Sequence, residues 1–389
     1  VRREPEGPLL ALVAGVLRLA QRNLLHDKVR LAVTLTGVVF AVVLMVVELG
    51  LFVGFNRATS TLIDHCRADL WIISRHVPYI EVGVPFNERK IYRVRVVPGV
   101  LHAEKFISRW TTWKHPDGQN ESVQVVGYDL GSRLIGPWNL VAGSVDALKA
   151  PDSVIIDEIY QQKLGVRQLG QVVEIGGRRA RVVGLTHGIR PFTTSPFVFT
   201  SFKRAQDYTK LAEDQTMFGL VELAPGADRE TVRRSILASV RGVDVVTTRE
   251  FSSMTRSYWM FTTGAGVSVL LAAVLGLIVG FVIVAQTIYA TTMDHLREFG
   301  TLKAMGAPNS YVYKVIIAQA AMSALAGYFI AMLVSVGIVV GGSRGGAPIV
   351  VPPELAVLLF FITVSMCVSA ALVSIRKVTR LDPAMVFKN

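Results

Sequence analysis

The stretch Asp294–Met305, D-H-L-R-E-F-G-T-L-K-A-M, decides how this chain is read. It is short, charged and helix-prone, and segments apolar and long enough to cross a bilayer flank it on both sides. Its charges alternate in sign through Asp294, Arg297, Glu298 and Lys303, and Gly306-Ala307-Pro308 stops it sharply. A capped helix held between two membrane spans lies at the membrane face, where a soluble partner can push on it. The plain alternative for the same charges is a solvated surface helix.

Working outward, residues 257–290 and 312–341 read as the second and third spans, with 291–311 as the coupling segment between them. Residues 31–56 read as a first span and 355–375 as a fourth, with 342–354 a Gly- and Pro-rich loop. Residues 1–30 carry a helical apolar stripe whose uninterrupted run is too short to span, which suits an amphipathic interfacial helix. Lys28 and Arg30 precede the first span, and a basic tail, 376–389, follows the fourth. The positive-inside bias then places both termini in the cytoplasm, and four spans agree with that. The large segment 57–256 must lie outside. The expected fold is an α-helical membrane protein with four transmembrane helices plus a mixed α/β extracytoplasmic domain inserted between the first and second helices.

Composition agrees. The chain has 389 residues, about half of them apolar, and a mean hydropathy of +0.45, too high for an ordinary soluble protein of this length. Its net charge is +12, but no basic stripe with interleaved aromatics points to nucleic acid. The two cysteines, Cys66 and Cys367, fall just outside the first span and inside the last, so no disulfide and no metal cluster is expected.

Inside 57–256 the pattern is mixed. Asp69–Ser74 reads as a buried strand, Asp157–Leu164 as a helix ended by Gly165, and Ser201 as the cap of a helix reaching Tyr208. Gln171–Ile175 and Arg179–Leu185 read as a hairpin across Gly176-Gly177. Phe218–Leu223, a helix capped by Asp228 and Val243–Thr247 suggest a split α/β unit. Two subdomains are expected, the hairpin region being the second. Thr248–Tyr258 is expected to run on as a helix into the second span.

No catalytic constellation is present. The Gly341–Gly346 loop lacks the G-K-[ST] ending of a phosphate loop, and no H-E-x-x-H or G-x-S-x-G occurs. Glu48 is an acid inside a span, costly unless paired, protonated or near water. It is a candidate substrate or gate residue, or else an interhelical hydrogen-bond partner. Gly50 with Gly54, Ala272 with Gly276 and Gly280, and Gly337 with Gly341 are small residues at four-residue spacing, candidates for helix packing or a dimer seam.

The run R-E-F-G-T-L-K-A-M-G-A, Arg297–Ala307, resembles the coupling-helix segment of ABC-transporter permeases of the MacB/FtsX/LolC type, the type VII fold. L-D-P-A at Leu381–Ala384 resembles the family's C-terminus, and the order of one span, a large outer domain and three spans is similar. The similarity is nearest to DevC-like permeases, through A-D-L-W-I-I-S (Ala68–Ser74), L-A-P-G-A-D (Leu223–Asp228), Arg249–Phe251 and G-F-V-I-V-A-Q (Gly280–Gln286). The resemblance implies a homodimer in the inner (plasma) membrane, bound to two copies of a separate ABC ATPase that holds the ATP and Mg, with no cofactor in this chain. It implies that Arg297, Glu298, Phe299, Leu302, Lys303, Met305 and Gly306 couple to that ATPase. It also implies efflux of a lipid-like or amphiphilic envelope substrate by mechanotransmission, with membrane lipids as neighbours and, in DevC-like systems, a periplasmic adaptor and an outer-membrane channel. An FtsX-like regulator that switches an envelope enzyme without transport is the alternative; the size of the outer domain favours the exporter.

Overall fold

The computed structural model describes residues 8–26, 28–193, 195–344 and 349–379. The L-D-P-A ending, the first seven residues and part of the Gly341–Gly346 loop lie outside them. The chain divides into two compact units, Val1–Gly54 with Ser268–Asn389, and Phe55–Val267.

Helix α1 (Pro8–His26) is followed by the long α2 (Lys28–Ala58). The outer domain then holds α3 (Thr61–Asp64), α4 (Arg89–Arg95), α5 (Phe202–Thr209), α6 (Arg229–Ser239) and α7 (Thr248–Ser257). The chain returns through α8 (Ala265–Asp294), α9 (Leu296–Ala304), α10 (Asn309–Arg344) and α11 (Pro353–Thr379). Four of these, α2, α8, α10 and α11, are long and apolar enough to span a membrane. Helix α10 runs through Gly341 and Gly342 to Arg344, so the third span continues as helix into residues expected to form a loop.

The domain's strands are β1 (Leu70–Ser74), β2 (Phe86–Asn87), β3 (Val100–Lys114), β4 (Asn120–Tyr128), β5 (Leu140–Gly143), β6 (Ser153–Asp157), β7 (Val172–Ile175), β8 (Arg178–Thr186), β9 (Phe197–Ser201), β10 (Gln215–Thr216), β11 (Phe218–Leu223) and β12 (Val243–Thr247). Strand β1 lies between β11 and β12, antiparallel to both. Strands β11 and β12 are therefore parallel and α6 is their crossover, the split α/β unit that the sequence suggests. Asp228 caps α6 by accepting a hydrogen bond from the Thr231 amide at 2.8 Å.

The fifteen-residue β3 is the spine. Its first half pairs with β11, most of its length with β4, and its last two residues with β7. From β4 the pairing passes through β9, β6 and β8 to β7, which returns to β3. Those six strands close a ring around Trp113, Ile155, Ile175, Val182 and Phe199, all buried. The hairpin β7–β8 turns at Gly176-Gly177, both with positive φ, as a two-residue turn of the primed type requires. A Cβ on Gly176 would come within 2.0 Å of the Tyr208 carbonyl oxygen, so only glycine fits there.

Three expectations give way. Asp157 ends β6 and a single 3-10 turn, Glu158–Tyr160, replaces the expected helix. The Asp157 carboxylate caps that turn by accepting from the Ile159 amide at 3.1 Å, and its other oxygen accepts from Thr186 at 3.0 Å and from the Ile189 amide at 2.7 Å. Ser201 stands at the N-cap of α5 without a side-chain cap bond. The helix before the second span does not run on: α7 passes into a π-helical turn, Tyr258–Thr262, and Gly264 at φ +76° breaks the chain before α8.

Within the membrane unit, Gly327 of α10 meets α2 so closely that an added Cβ would lie 2.5 Å from the stiff, β-branched Val38. Gly337, one of the glycines picked from spacing, faces open space. Gly327→Ala should therefore lower stability by about 1–3 kcal/mol, whereas Gly337→Ala should be neutral or gain up to about 1 kcal/mol. Thermal unfolding of both variants in the same lipid–detergent mixture reads the difference.

Candidate functional site

The site begins where α8 ends. Helix α9 is nine residues long and closes with a full Schellman motif. The Ala307 amide donates to the Leu302 carbonyl at 3.0 Å and the Gly306 amide to the Lys303 carbonyl at 3.0 Å, with Gly306 in the left-handed region at φ +91°. Gly306 thus has a stated job: it lets the chain reverse into α10 without leaving carbonyls unsatisfied. Leu302 packs on the bundle core. Glu298, Thr301 and Met305 are exposed at three- and four-residue spacing, one stripe of the helix. Met305 is 71% exposed, the Glu298 side chain about half. The side chains of Arg297 and Phe299 lie outside the described residues. His295, buried at the head of the helix, places Nδ1 3.0 Å from Glu298 Oε1, a contact that sequence reading missed.

The first and second spans meet in an antiparallel seam that starts at this helix. Arg30 lies 3.7 Å from Asp294, and Thr34 and Thr291 share a hydrogen bond of 2.8 Å. One turn further along, a Cβ on Gly37 would meet Thr287 Oγ1 at 2.6 Å. Gly280 then lies against Ala41 and Met45, and Gly276 against Leu44 and Glu48. The contact positions advance along α2 as they recede along α8. Gly276 and Gly280 are therefore used within the chain, and Gly276 makes the space that the Glu48 side chain fills. Ala272 is exposed, and Ala273 beside it is buried. Gly50 is covered by Ile349 and Val351, and its carbonyl accepts from the Val350 amide at 3.1 Å; Gly54 is buried.

In the outer domain a hydrogen-bonded ring joins the segment after α2 to α7. Asp64 accepts from Ser60 and Ser252 at 2.7 Å and from Arg256 at 2.6 Å, and Arg256 Nε donates back to Ser60 at 2.7 Å. The capping box of Thr247 and Glu250 fixes the start of α7. No group of three or more His, Cys, Asp or Glu able to hold a metal occurs among the described residues.

Family models match most of the chain: the MacB-like periplasmic core domain over residues 31–239 and the FtsX-like permease C-terminal over residues 270–383. The chain belongs to the MacB/FtsX-type ABC transporter permeases. An uncharacterized ABC transporter permease of Mycobacterium tuberculosis is 25% identical to this permease over 379 residues, covering 95% of this chain and 98% of its own. Another, of Mycobacterium bovis, is 25% identical over 374 residues, covering 92% and 94%. Among solved structures, the extracellular domain of the noncanonic ABC-type transporter YknZ from Gram-positive bacteria matches at TM-score 0.36 and 12% identity, over 46% of this chain and 99% of that one. The periplasmic region of MacB from Actinobacillus actinomycetemcomitans matches at TM-score 0.36 and 11% identity, over 49% and 94%. The permease is a membrane protein, and its fold class is the one expected from sequence.

A second polar feature of the domain escaped the sequence reading. Glu81 accepts from Trp259 Nε1 at 3.4 Å in a half-buried aromatic setting, and loss of hydration pushes its carboxyl up to about 7. Between pH 4.5 and about 7 the folded chain holds a proton that the unfolded chain releases, so stability falls as pH rises through that window. Glu81→Gln removes the ionisation and keeps an acceptor for Trp259. It should raise the unfolding temperature at pH 8 and leave it unchanged at pH 4, as read by tryptophan fluorescence of the full chain.

Proposed function

We propose that this permease couples ATP hydrolysis by a separate ATPase subunit to the extrusion of a lipid-like or amphiphilic envelope substrate, working as a homodimer with two ATPase copies. In this reading both termini and α9 are cytoplasmic, and α9 seats in the ATPase. One observation carries it: a short helix, capped at its C-terminal end, between two spans presents Glu298, Thr301 and Met305 outward while Leu302 anchors it to the bundle. An exposed methionine beside a charged residue suits a shape-adapting contact with a soluble partner.

Force enters at the junction of α8 and α9. The α2–α8 seam, fixed by Arg30–Asp294, Thr34–Thr291 and the glycine contacts, supports movement of the two spans as one body. Helix α2 is unbroken to Ala58, so an axial displacement is not lost to a hinge inside the span. Close-packed elements shift as units rather than deform, which is what transmission to an outer domain needs.

Glu298→Lys reverses a half-exposed charge and removes its contact with His295, but deletes no apolar packing. In native-membrane pull-downs in mild detergent, the wild type should bring down an ATPase with measurable hydrolysis. The variant should fold but lose the ATPase or its coupling. Unchanged co-purification and unchanged coupled hydrolysis in the variant would remove α9 as the contact.

A further inference from the structure

Five aromatic rings of the outer domain form one contiguous cluster from four distant segments. Tyr79 stacks on Tyr258 at 3.8 Å and meets Trp259 edge-on at 5.5 Å. Trp259 packs edge-on against Phe192 at 4.3 Å, and Phe192 against Phe55 at 5.8 Å. Two of these rings have a known relation to the membrane by chain connection alone. Phe55 belongs to the last turn of α2, whose 31 residues reach about 46 Å; with a hydrocarbon core of about 30 Å, the ring lies within about 16 Å of its edge. Trp259 precedes α8 by six residues and Phe261 by four, so Phe261 is within about 14 Å of the start of that span.

The loop Tyr79–Val84, like the Phe192 segment, has no such covalent tie. It is tied instead by contacts: the Tyr79–Tyr258 stack, the bond from Trp259 Nε1 to Glu81, and the bond from Ser74 Oγ to the Val84 carbonyl at 2.7 Å. Ile80 and Gly83 turn inward, and a Cβ on Gly83 would strike Phe218 at 2.6 Å. Val82 and Val84 on either side of it consequently point out, 42% and 50% exposed, in the same domain as Phe261 at 69%. Tyrosine and tryptophan with one apolar and one polar end, beside exposed aliphatic groups, have the composition of a membrane–water interface.

We propose that the Tyr79–Val84 loop is a membrane-contact element of the outer domain, with Val82 and Val84 seated at the headgroup–acyl boundary of the outer phospholipid leaflet. The Tyr79, Tyr258 and Trp259 rings hold the loop against the segment that leads into the second span. Glu81 is held by the hydrogen bond from Trp259 Nε1. The inference depends on the spans alone and not on ATPase coupling.

The test is site-directed spin labelling of the full chain in phospholipid nanodiscs. Nitroxides are attached in turn to Val82→Cys and Val84→Cys; both native thiols are buried and stay in place. Power saturation compares collision with lipid-soluble O2 and with water-soluble nickel(II) EDDA. The proposal expects O2 accessibility to exceed nickel accessibility several-fold at both positions. Nickel accessibility above that of O2 places the loop in water and overturns it. Low accessibility to both reagents means that protein, such as a second copy of this chain, covers the loop, and overturns it equally.

Discussion

The close antiparallel contact between α2 and α8 is the constraint on which the rest depends. Lipid tails are as apolar as leucine, so burial gives two membrane helices little reason to associate. What holds them is dispersion at short range and hydrogen bonds that water cannot replace. This chain supplies both: glycines at 37, 276 and 280 remove the side chains that would keep the axes apart, and Thr34 and Thr291 bond across the gap. Gly276 leaves the space that the Glu48 side chain fills at this seam. Helix α9 starts at the end of this pair, and its Schellman cap closes it as a short helix rather than a loop.

The outer domain has its own organising element. Strand β3 is shared between an open sheet covered by α4 and α6 and a closed ring of six strands, so the two parts cannot shear without breaking its pairings. At the base of the domain, Asp64 and Arg256 bind the segment after the first span to the helix before the second. On the proposed mechanism, a domain built in this way would move as a body with the segments entering and leaving it. That is the property a permease of this family needs if work is done outside the membrane while ATP is consumed elsewhere.

Much of this was legible from residues alone. The four spans announce themselves by uninterrupted apolar length, and α9 by charge followed by Gly-Ala-Pro. The Gly176-Gly177 hairpin and the Asp228 cap follow from local chemistry that tertiary structure had no cause to override. Other features were not legible because their causes are remote in sequence. Asp157 leaves the helical pattern to serve Thr186 and Ile189, about thirty residues away. The burial pattern of β3 alternates poorly because its two ends serve different neighbours. Gly37 and Gly327 lie in no Gly-x-x-x-Gly pair, yet they make closer approaches than Gly337 and Gly341, which do. Glu81 carries no motif, and its environment is assembled from rings up to two hundred residues apart.

The central claim is that the first two spans carry motion as one body, and a reversible cross-link tests it most directly. A Cβ on Gly37 would lie 3.4 Å from the Thr287 Cβ, close to disulfide geometry. Gly37→Cys with Thr287→Cys, oxidised in the complex assembled with its ATPase, should leave both the hydrolysis rate and any ATP-dependent change in the outer domain intact, because nothing along that seam needs to slide. Loss of both on oxidation, with recovery on reduction, would show that α2 and α8 move against each other and would contradict the account.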